Sequence, residues 1–399
     1  MRVLFLTDSL SDLDGVGRYT MRLIAAMERQ EPGLEVEVLL ARKHRPTSDA
    51  VPAHWNVRVA LPPDYFFYMR PSRFWPSLAL SSYHAWRSAR RADVVHAIKD
   101  YPHNLVGLKA AQLAGKPCIA TAHGTYTVQP LLDPRHAERA RKTYAGFAGM
   151  ISVSGYTRRR LFEVLPDGAL DPERVHVVPN CVDASHYVEP RKLDPRPWHG
   201  KRFTLGIGEM KERKGHHLAL GAWCRIAAQY PELHHFLVGR RSGDPYEEGL
   251  LTRVREAGLE DRVHLLGNVT EEEKIDLLQC ADLFLHAPVT AADGGFEGFG
   301  IVYLEAAASG TPSIGTLDCG AEDAIDDGTT GLLVAQTEEA VAAGLRRLLS
   351  DDGLRDRMAA ACPAAARARS WEENAATVLS LYRAALAGGP APADRAGPR

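Results

Sequence analysis

Short apolar runs alternate with longer helical patterns along almost the whole chain of 399 residues. Such an alternation predicts βα units, in which parallel strands form a doubly wound sheet with helices on both faces. Strands of a first series are predicted at 3–7, 36–40, 94–97, 118–121, 149–153 and 175–178. Because a chain of this length exceeds the size at which one core stops growing, we expect two α/β domains.

The pattern restarts after a proline-rich and charged stretch at 189–198. Strands of this second series are predicted at 203–208, 235–238, 263–266, 283–286, 312–315 and 331–334. The predicted segments are a Rossmann-like N-terminal domain at 1–186, a linker at 187–200, a C-terminal domain at 201–371 and a disordered tail at 388–399. A last helix at 372–387 is expected to pack back on the first domain, and the two domains are expected to face each other across a cleft.

Composition and charge exclude several classes of protein. The formal net charge is -2, whereas a protein that binds mainly nucleic acid needs a clear excess of basic residues. The six cysteines are scattered without a Cys-x-x-Cys pair, which is typical of reduced thiols rather than of disulfides or a zinc site. The apolar run at the N-terminus is too short for a signal peptide, and no stretch approaches the ~20 apolar residues of a membrane span. These features predict a cytoplasmic protein.

Two glutamates, Glu297 and Glu305, stand eight positions apart on either side of a glycine-rich turn and an apolar run. If Gly298 and Gly300 open a helix, the backbone N–H groups there and the helix dipole form an anion site. Eight residues span roughly 12 Å of a helix axis. This spacing suits a nucleotide-sugar, which has a hydroxylated group at each end and phosphates between them. A glycosidase is less suited, since its paired carboxylates flank one bond from separate elements.

Glycine-rich or polar residues also follow two strands of the first series. Gly15 and Gly17 follow the first predicted strand and open a helix, so the backbone there allows close approach of a phosphate or sugar. The loop lacks the third glycine of a dinucleotide fingerprint, and a glycine turn without a ligand fits it equally well. His123 follows the strand at 118–121 and precedes a glycine, although a single histidine is more often structural.

In the second series, the loop from 206 to 215 places Lys211, Arg213 and Lys214 after a strand. Open α/β sheets bind ligands at the carboxyl ends of their strands. A lysine at that point would neutralise a diphosphate and stabilise it as a leaving group. Because charged loops are usually only solvated, this loop indicates a diphosphate site only together with the other segments.

The segment at 65–91 concentrates aromatic residues and arginines. They are Tyr65, Phe66, Phe67, Tyr68, Arg70, Arg73, Phe74, Trp75, Trp86, Arg87, Arg90 and Arg91. One interpretation is an element that binds a membrane surface or an acceptor. The other is that the aromatic residues fill the core of the first domain and the arginines are solvated, which the absence of a clean amphipathic period favours.

Taken together, these segments resemble the retaining glycosyltransferases of family 4, which have the GT-B fold. The main match is the Glu-x7-Glu signature at Glu297 and Glu305, within EGFGIVYLEA. Supporting pieces follow in family order along nearly the whole chain: GVGRY at 15–19, HG at 123–124, ISVS at 151–154, VPNCVD at 178–183, KG at 214–215, DGTTGLLV at 327–334 and WE at 371–372.

The resemblance implies a role for each matching residue. Glu305 would hold the ribose hydroxyls, and Glu297 would contact the transferred sugar. Lys214 would pair with the diphosphate, and His123 would face the donor sugar, so that these two and Glu297 form the catalytic set. The further donor-binding positions are Gly15, Gly17, Glu209, Arg213, Asn268, Val269, Gly298, Phe299 and Gly300.

The resemblance also implies a reaction. A hexosyl group would pass from a UDP- or GDP-sugar to an acceptor hydroxyl with retained anomeric configuration, in polysaccharide, glycolipid or glycoside biosynthesis. Such enzymes need no metal or other cofactor, because cationic side chains and a helix N-terminus offset the leaving-group charge. If the residues at 65–91 bind a membrane surface, the expected partner is the inner face of the membrane, by peripheral association. A non-catalytic sugar-nucleotide binder and a GT-B phosphorylase or epimerase remain as alternatives.

Glu209 departs from the family pattern, which has an arginine directly after the glycine of this loop. A carboxylate beside a diphosphate is repelled by roughly 4 kcal/mol at 4 Å with an effective dielectric of 20. Either Glu209 turns away and Arg213 or Lys211 substitutes for the missing arginine, or the donor binds in an unusual way or weakly.

Overall fold

The computed structural model describes residues 1–11, 14–42, 51–241 and 243–388. They form two compact units, the first comprising Met1–Asn180 and Trp371–Arg399 and the second comprising Cys181–Ser370. Almost all of the tail that we expected to be disordered lies outside the described residues. Within the described ranges, no helix is both long enough and apolar enough to cross a membrane.

The strands of the first unit are β1 Arg2–Thr7, β2 Glu35–Ala41, β3 Asn56–Leu61, β4 Val94–Ala97, β5 Cys118–Ala122, β6 Gly149–Ser152 and β7 Val175–Val177. In the described part of this unit they pair in parallel, in the order β3-β2-β1-β4-β5-β6-β7. The order reverses between β1 and β4, and this is the topological switch point at which open α/β sheets bind ligands.

The helices of the first unit that precede the second unit are α1 Gly15–Gln30, α2 Pro71–Ala89, α3 His103–Ala114, α4 Thr125–Leu132, α5 Ala137–Ala145 and α6 Gly155–Val164. Side chains cap several of them. The Ser154 hydroxyl, in the ISVS segment, accepts a hydrogen bond from the Thr157 N–H and so starts α6.

The sequence patterns missed β3 and α2. β3 is an edge strand, and four of its six residues are exposed or half-buried, so it lacks a continuous apolar run. α2 carries Pro76 in its interior and exposes large apolar side chains, which hides its helical period.

The second unit repeats the architecture. Its strands are β8 Arg202–Ile207, β9 Leu233–Val238, β10 Val263–Gly267, β11 Leu283–Leu285, β12 Ser313–Thr316 and β13 Gly331–Val334. Its helices, as far as the chain is described, are α7 Ser185–Val188, α8 His216–Cys224, α9 Pro245–Glu256, α10 Glu271–Cys280, α11 Ile301–Ala308, α12 Ala321–Ala324, α13 Glu338–Ser350 and α14 Asp352–Arg367. The strands are parallel in the order β10-β9-β8-β11-β12-β13, so the switch point lies between β8 and β11.

Residues 187–200, for which the sequence predicted a linker, lie within the second unit and pack on α10. The Trp198 side chain is 3% exposed, and its Nε1 donates to Asp276 at 2.6 Å. Gln279 donates to the backbone oxygens of Tyr187 and Glu189. The apolar surface of Trp198 and these polar contacts favour packing over an extended chain, and the compact units change at 180/181.

The C-terminal helix, α15 Trp371–Ala387, belongs to the first unit and packs along α1. Tyr382 is fully buried, and its hydroxyl hydrogen-bonds to Nδ1 of His96 in β4 at 2.6 Å. Ion pairs from Arg29 to Glu372 and from Arg383 to Glu31 join the exposed edges of the two helices.

Candidate active site

Strand ends meet at the switch point of the second unit. Gly208 follows β8 and His286 follows β11, two strands that lie side by side. A Cβ atom added to Gly208 would lie 3.4 Å from Cδ of Lys214 and 3.5 Å from Cε1 of His286. These three residues therefore line one spot at the carboxyl edge of the sheet.

Gly215 fixes the position of Lys214. Its φ of 67° lies in the left-handed region, and a Cβ atom there would come within 1.6 Å of the Ala287 carbonyl oxygen. Only glycine allows the loop after β8 to approach the segment after β11 so closely. This approach turns Lys214 towards the residues that follow β11.

Glu297 lies at the centre of the site and is 8% exposed. Its Oε2 atom pairs with Nζ of Lys214 and lies 3.6 Å from Nη1 of Arg213 and 3.9 Å from Nε2 of His286. Burial raises the pKa of a carboxyl, but Lys214, His286 and Arg213 outweigh it and hold the pKa of Glu297 well below the ordinary value. Glu297 is therefore ionised and serves as an acceptor of hydrogen bonds, not as an acid.

Burial also acts on the neighbours of Glu297. It lowers the pKa of Lys214, and the nearby Arg213 adds to this effect while Glu297 opposes it. Burial lowers the pKa of His286, so the imidazole is neutral near pH 7. An ammonium, a guanidinium and a neutral imidazole thus surround the Oε2 atom of the Glu297 carboxylate.

The glycine loop after Glu297 is not helical, which corrects one of our expectations. Helix α11 begins at Ile301, and its N-cap Gly300 has a φ of 84°. Gly298 packs against Gly320 so tightly that a Cβ atom on Gly320 would lie 2.3 Å from the Gly298 carbonyl. Glu297 therefore stands before the helix, and the helical spacing of roughly 12 Å between the two glutamates does not apply.

Glu305 is held separately from Glu297. It lies inside α11, is 2% exposed, and its Oε2 is 3.2 Å from Nζ of Lys274 in α10. Lys274 also pairs with Glu271 at 2.9 Å. Each glutamate of the Glu-x7-Glu segment thus has its own cationic partner, and the role of Glu305 at a ribose remains a prediction.

The carboxylate of Glu209 turns to two cations other than Lys214. It pairs with Lys211 at 2.6 Å and with Arg240 at 3.1 Å. Burial opposes ionisation, but the hydrogen bond from Lys211 and the charges of Lys211 and Arg240 outweigh it and lower the pKa of Glu209. Of the two substitutes predicted for the missing arginine, Arg213 reaches Glu297, whereas Lys211 is tied to Glu209.

Asn268 and Val269 form the turn between β10 and α10. Asn268 is exposed and Val269 half-buried. The turn joins the same carboxyl edge, because the Gly239 N–H donates to the Gly267 carbonyl at 2.9 Å and Gly239 packs directly on Gly208. Their role in donor binding remains a prediction.

In the first unit, the helix N-terminus at Gly15 and Gly17 already has a carboxylate. Asp14 is the N-cap of α1 and accepts a hydrogen bond from the Gly17 N–H at 2.7 Å. A Cβ atom on Gly17 would lie 2.4 Å from the Ser11 carbonyl oxygen, so local packing requires this glycine. The negative charge of Asp14 disfavours a phosphate here.

His123 follows β5 and is anchored to the backbone. Its Nε2 lies 3.0 Å from the Ile98 carbonyl oxygen, which can only accept, so Nε2 carries the proton. The backbone N–H of His123 donates to Oδ1 of Asp100 at 3.1 Å. Burial lowers the pKa of His123, which leaves a neutral ring with the lone pair on Nδ1.

Two features of these edges escaped the sequence reasoning. The sequence pattern places His286 at the end of a strand but gives it no role. A histidine that closes a buried strand is the signal that could have identified it. In the first unit, Lys99 Nζ pairs with Asp8 at 2.5 Å, and these residues follow β4 and β1 at the switch point. Lys99 also lies over the ring of Tyr126 at 5.5 Å. Their positions after two predicted strands would have revealed them.

One group in the described chain has the spacing of metal ligands: His199, Asp276 and Cys280. The Nδ1 atom of His199 accepts a hydrogen bond from the Arg196 N–H at 3.1 Å, so its Nε2 is protonated and donates to Asp276 at 2.7 Å. The ring therefore offers no lone pair to a metal, and the group holds residues 196–199 on α10.

Two doubly wound units of parallel strands are the architecture of the GT-B class, and the carboxylate and cations at the switch point of the second unit lie where such sheets bind ligands. A family model described as Glycosyltransferase Family 4 matches residues 13–186, and one described as Glycosyl transferases group 1 matches residues 192–364. The chain belongs to the family 4 glycosyltransferases, and the predictions of the fold class and of a glycosyltransferase are confirmed.

Curated relatives and a solved structure agree with this family. The chain is 30% identical to the phosphatidyl-myo-inositol mannosyltransferase of Mycobacterium leprae over 74% of its own length and 75% of that protein. It is 27% identical to the D-inositol 3-phosphate glycosyltransferase of Xylanimonas cellulosilytica over 95% and 94% of the two chains. Among solved structures, HepE of Anabaena in complex with UDP and glucose matches with a TM-score of 0.75 at 21% identity, covering 95% of this chain and 99% of HepE.

Proposed function

We propose that this glycosyltransferase moves a hexosyl group from a UDP- or GDP-sugar to an acceptor hydroxyl with retention of the anomeric configuration. The observation that carries the proposal is the buried carboxylate of Glu297, which two cations share at the switch point of the second unit. A nucleotide-diphosphate sugar has the matching chemistry, since it combines an anionic diphosphate with a hydroxylated ring.

In this proposal, Lys214 and Arg213 pair with the diphosphate and stabilise the negative charge that develops on the leaving group. Glu297, ionised because of its low pKa, accepts hydrogen bonds from the sugar hydroxyls. The neutral ring of His123 keeps the lone pair of Nδ1, which suits an acceptor of a hydrogen bond from a sugar hydroxyl. The two cations supply the charge that a metal ion supplies in other transferases, so the reaction needs no cofactor.

Retention of configuration is proposed from the family resemblance, and the absence of a suitable nucleophile among the described residues of the proposed centre argues against a covalent intermediate. Glu297 is assigned to the sugar hydroxyls, and the other groups beside it are cationic or a neutral imidazole. The acceptor hydroxyl would then attack from the face of the leaving group, and the departing phosphate would take its proton.

The names of the two relatives point to an inositol-containing acceptor, and the first unit has features that suit a lipid-bound one. Tyr68 is 60% exposed, Trp75 50% and Tyr83 52%, and the neighbouring Arg73 and Arg87 are exposed as well. Aromatic side chains and basic groups together favour an anionic membrane surface. We propose peripheral association of the enzyme with the cytoplasmic face of a membrane.

A donor and acceptor panel tests the function. The purified protein is incubated with UDP-, GDP- and ADP-sugars, alone and with inositol phosphate or phosphatidylinositol liposomes, and free nucleotide is measured. We expect nucleotide release from one donor, faster with an acceptor, and NMR of the product should show the donor's anomeric configuration. Silence with every donor, or binding without turnover, would refute transfer, and an inverted product would refute retention.

A further inference from the structure

His286 is a buried histidine with no hydrogen bond to its ring within the described residues. Its side chain is 0% exposed, and neither Nδ1 nor Nε2 has a hydrogen-bond partner. Buried polar groups in native proteins are almost always paired, so an unpaired ring beside a reactive carboxylate indicates a partner in another state. Its Nε2 lies 3.9 Å from Oε2 of Glu297, about one ångström beyond hydrogen-bond distance.

The backbone around His286 is held firmly. The Tyr303 hydroxyl donates to the His286 carbonyl at 2.8 Å, and Gly215 packs directly against Ala287. The imidazole itself lies among the rings of Phe284, His216 and Tyr303 with centroids 5.5–6.1 Å away. Because Nε2 is only about one ångström beyond hydrogen-bond distance, a small shift of the side chain or of the Glu297 carboxylate would join the two groups.

What happens at Glu297 when a donor diphosphate enters the site rests on the proposed function. Lys214 and Arg213 contact the same oxygen of Glu297 in the ligand-free protein. A bound diphosphate carries more negative charge than one carboxylate, so it attracts both cations. If they turn to the diphosphate, Glu297 is left buried and ionised without its two cations, which is unfavourable unless another donor replaces them.

We propose that His286 is the positioning residue that takes over Glu297 when the donor binds. Its Nε2–H then donates to the carboxylate and holds it against the sugar hydroxyls, while Lys214 and Arg213 hold the diphosphate. A neutral imidazole suits this role, because it supplies an N–H donor without adding a positive charge that competes for the phosphates. Burial, which lowers the pKa of His286, keeps the ring in that form.

The experiment compares His286→Leu with His286→Gln, whose amide can still donate a hydrogen bond. The donor that the wild type turns over fastest and the corresponding nucleoside diphosphate are the probes. We expect His286→Leu to lower kcat about tenfold or more, the effect of one hydrogen bond to a charged group, and to leave nucleoside-diphosphate affinity within about twofold. His286→Gln should recover most of the loss in kcat.

His235→Leu is the matched control, since His235 is also fully buried. Its Nδ1 forms a hydrogen bond with the Thr204 hydroxyl on β8 at 2.7 Å. It should lower the melting temperature with little change in kcat. In addition, combining His286→Leu with Glu297→Gln should lower kcat no further than Glu297→Gln alone, because both changes remove the same interaction.

A pH profile separates positioning from packing. The titratable or charged groups that face Glu297 are Lys214, Arg213, His286, Tyr303 and Cys319. Loss of the hydrogen bond from His286 to the ionised carboxylate should move the acidic limb of the kcat profile to higher pH by about one unit. A change in packing alone would lower the whole profile without moving its limb.

Three results would overturn the inference while the proposed function stands: kcat of His286→Leu equal to that of the wild type, no recovery in His286→Gln, or a loss of nucleoside-diphosphate affinity as large as the loss in kcat. Absence of turnover by the wild type with every donor would instead refute the proposed function, and the inference with it.

Discussion

Lys214 and Glu297 form a buried ion pair across 83 positions of the sequence. The pair joins the loop after β8 to the loop after β11, which are neighbouring strands at the switch point of the second unit. Two opposite charges removed from water are stable only with close geometry and further partners, and Arg213 and His286 supply these. Before any anion enters, Lys214 and Arg213 thus carry one positive charge more than the Glu297 carboxylate neutralises.

Replacing Glu297 by Gln should separate donor binding from catalysis. Since Glu297 competes with the diphosphate for Lys214, we expect nucleoside-diphosphate affinity to stay equal or rise, while kcat falls about 100-fold. Isothermal titration and steady-state kinetics measure the two quantities. Glu305→Gln is the comparison within the same segment, because Glu305 pairs with Lys274 and not with Lys214. Weaker nucleotide binding by Glu297→Gln would contradict this competition.

Arg213 should act as the second cation of the diphosphate. Arg213→Ala is expected to weaken nucleoside-diphosphate binding about tenfold, since it removes one charge-assisted contact. Lys211→Ala is the control, because Lys211 lies in the same loop but is paired with Glu209. Unchanged affinity and turnover in Arg213→Ala would show that this arginine does not compensate for the missing one.

Glu209 should weaken donor binding through its charge. Glu209→Gln removes one negative charge near the diphosphate loop and releases Lys211 and Arg240, so we expect nucleoside-diphosphate affinity to rise about three- to tenfold. The gain should shrink at high salt, because Glu209, Lys211 and Arg240 are partly or fully exposed. Lower affinity would mean that Glu209 is needed to hold Arg240 in place.

Acid stability should depend on Glu297. Its pKa in the folded protein is well below the value of roughly 4.3 expected for an unfolded chain. Its contribution to stability is therefore complete above about pH 4.3 and is lost as pH falls through the folded pKa. When the pH is lowered from about 6 to about 3, we expect the melting temperature of Glu297→Gln to fall less than that of the wild type. Parallel melting curves would contradict this.

Membrane association should depend on Trp75 but not on Phe74, its neighbour in α2. Phe74 is 3% exposed and stacks on Phe66 at 4.5 Å, so its replacement would damage the core. Trp75→Ser should lower partitioning to anionic liposomes about tenfold, given the apolar area of an indole. Leu113→Ser is the matched control, because Leu113 on α3 is 69% exposed. Equal sedimentation of wild type and Trp75→Ser would refute the membrane surface.

The aromatic segment shows how far local patterns reach. The core interpretation of residues 65–91 holds for Phe66, Phe67 and Phe74, whereas Tyr65, Tyr68 and Trp75 are exposed and their contact with a membrane or acceptor stays a prediction. No period in the sequence separated these two sets. Buried and exposed aromatic residues alternate within single elements, the 3-10 helix at Asp64–Tyr68 and the helix α2, which has an internal proline.

Apart from β3, the strand series was predictable from the sequence, as were the helix that follows Gly300 and the last helix, because apolar periodicity and glycine, proline and capping residues act over a few neighbours. The sequence also determined the family, since motifs in a fixed order need no coordinates. Only the tertiary structure decided the order of the strands, and with it the meeting of Lys214, His286 and Glu297. It likewise decided that Asp14 fills the first helix N-terminus and that Glu209 turns to Lys211 and Arg240. Such pairings depend on long-range packing and charge, which no local pattern encodes.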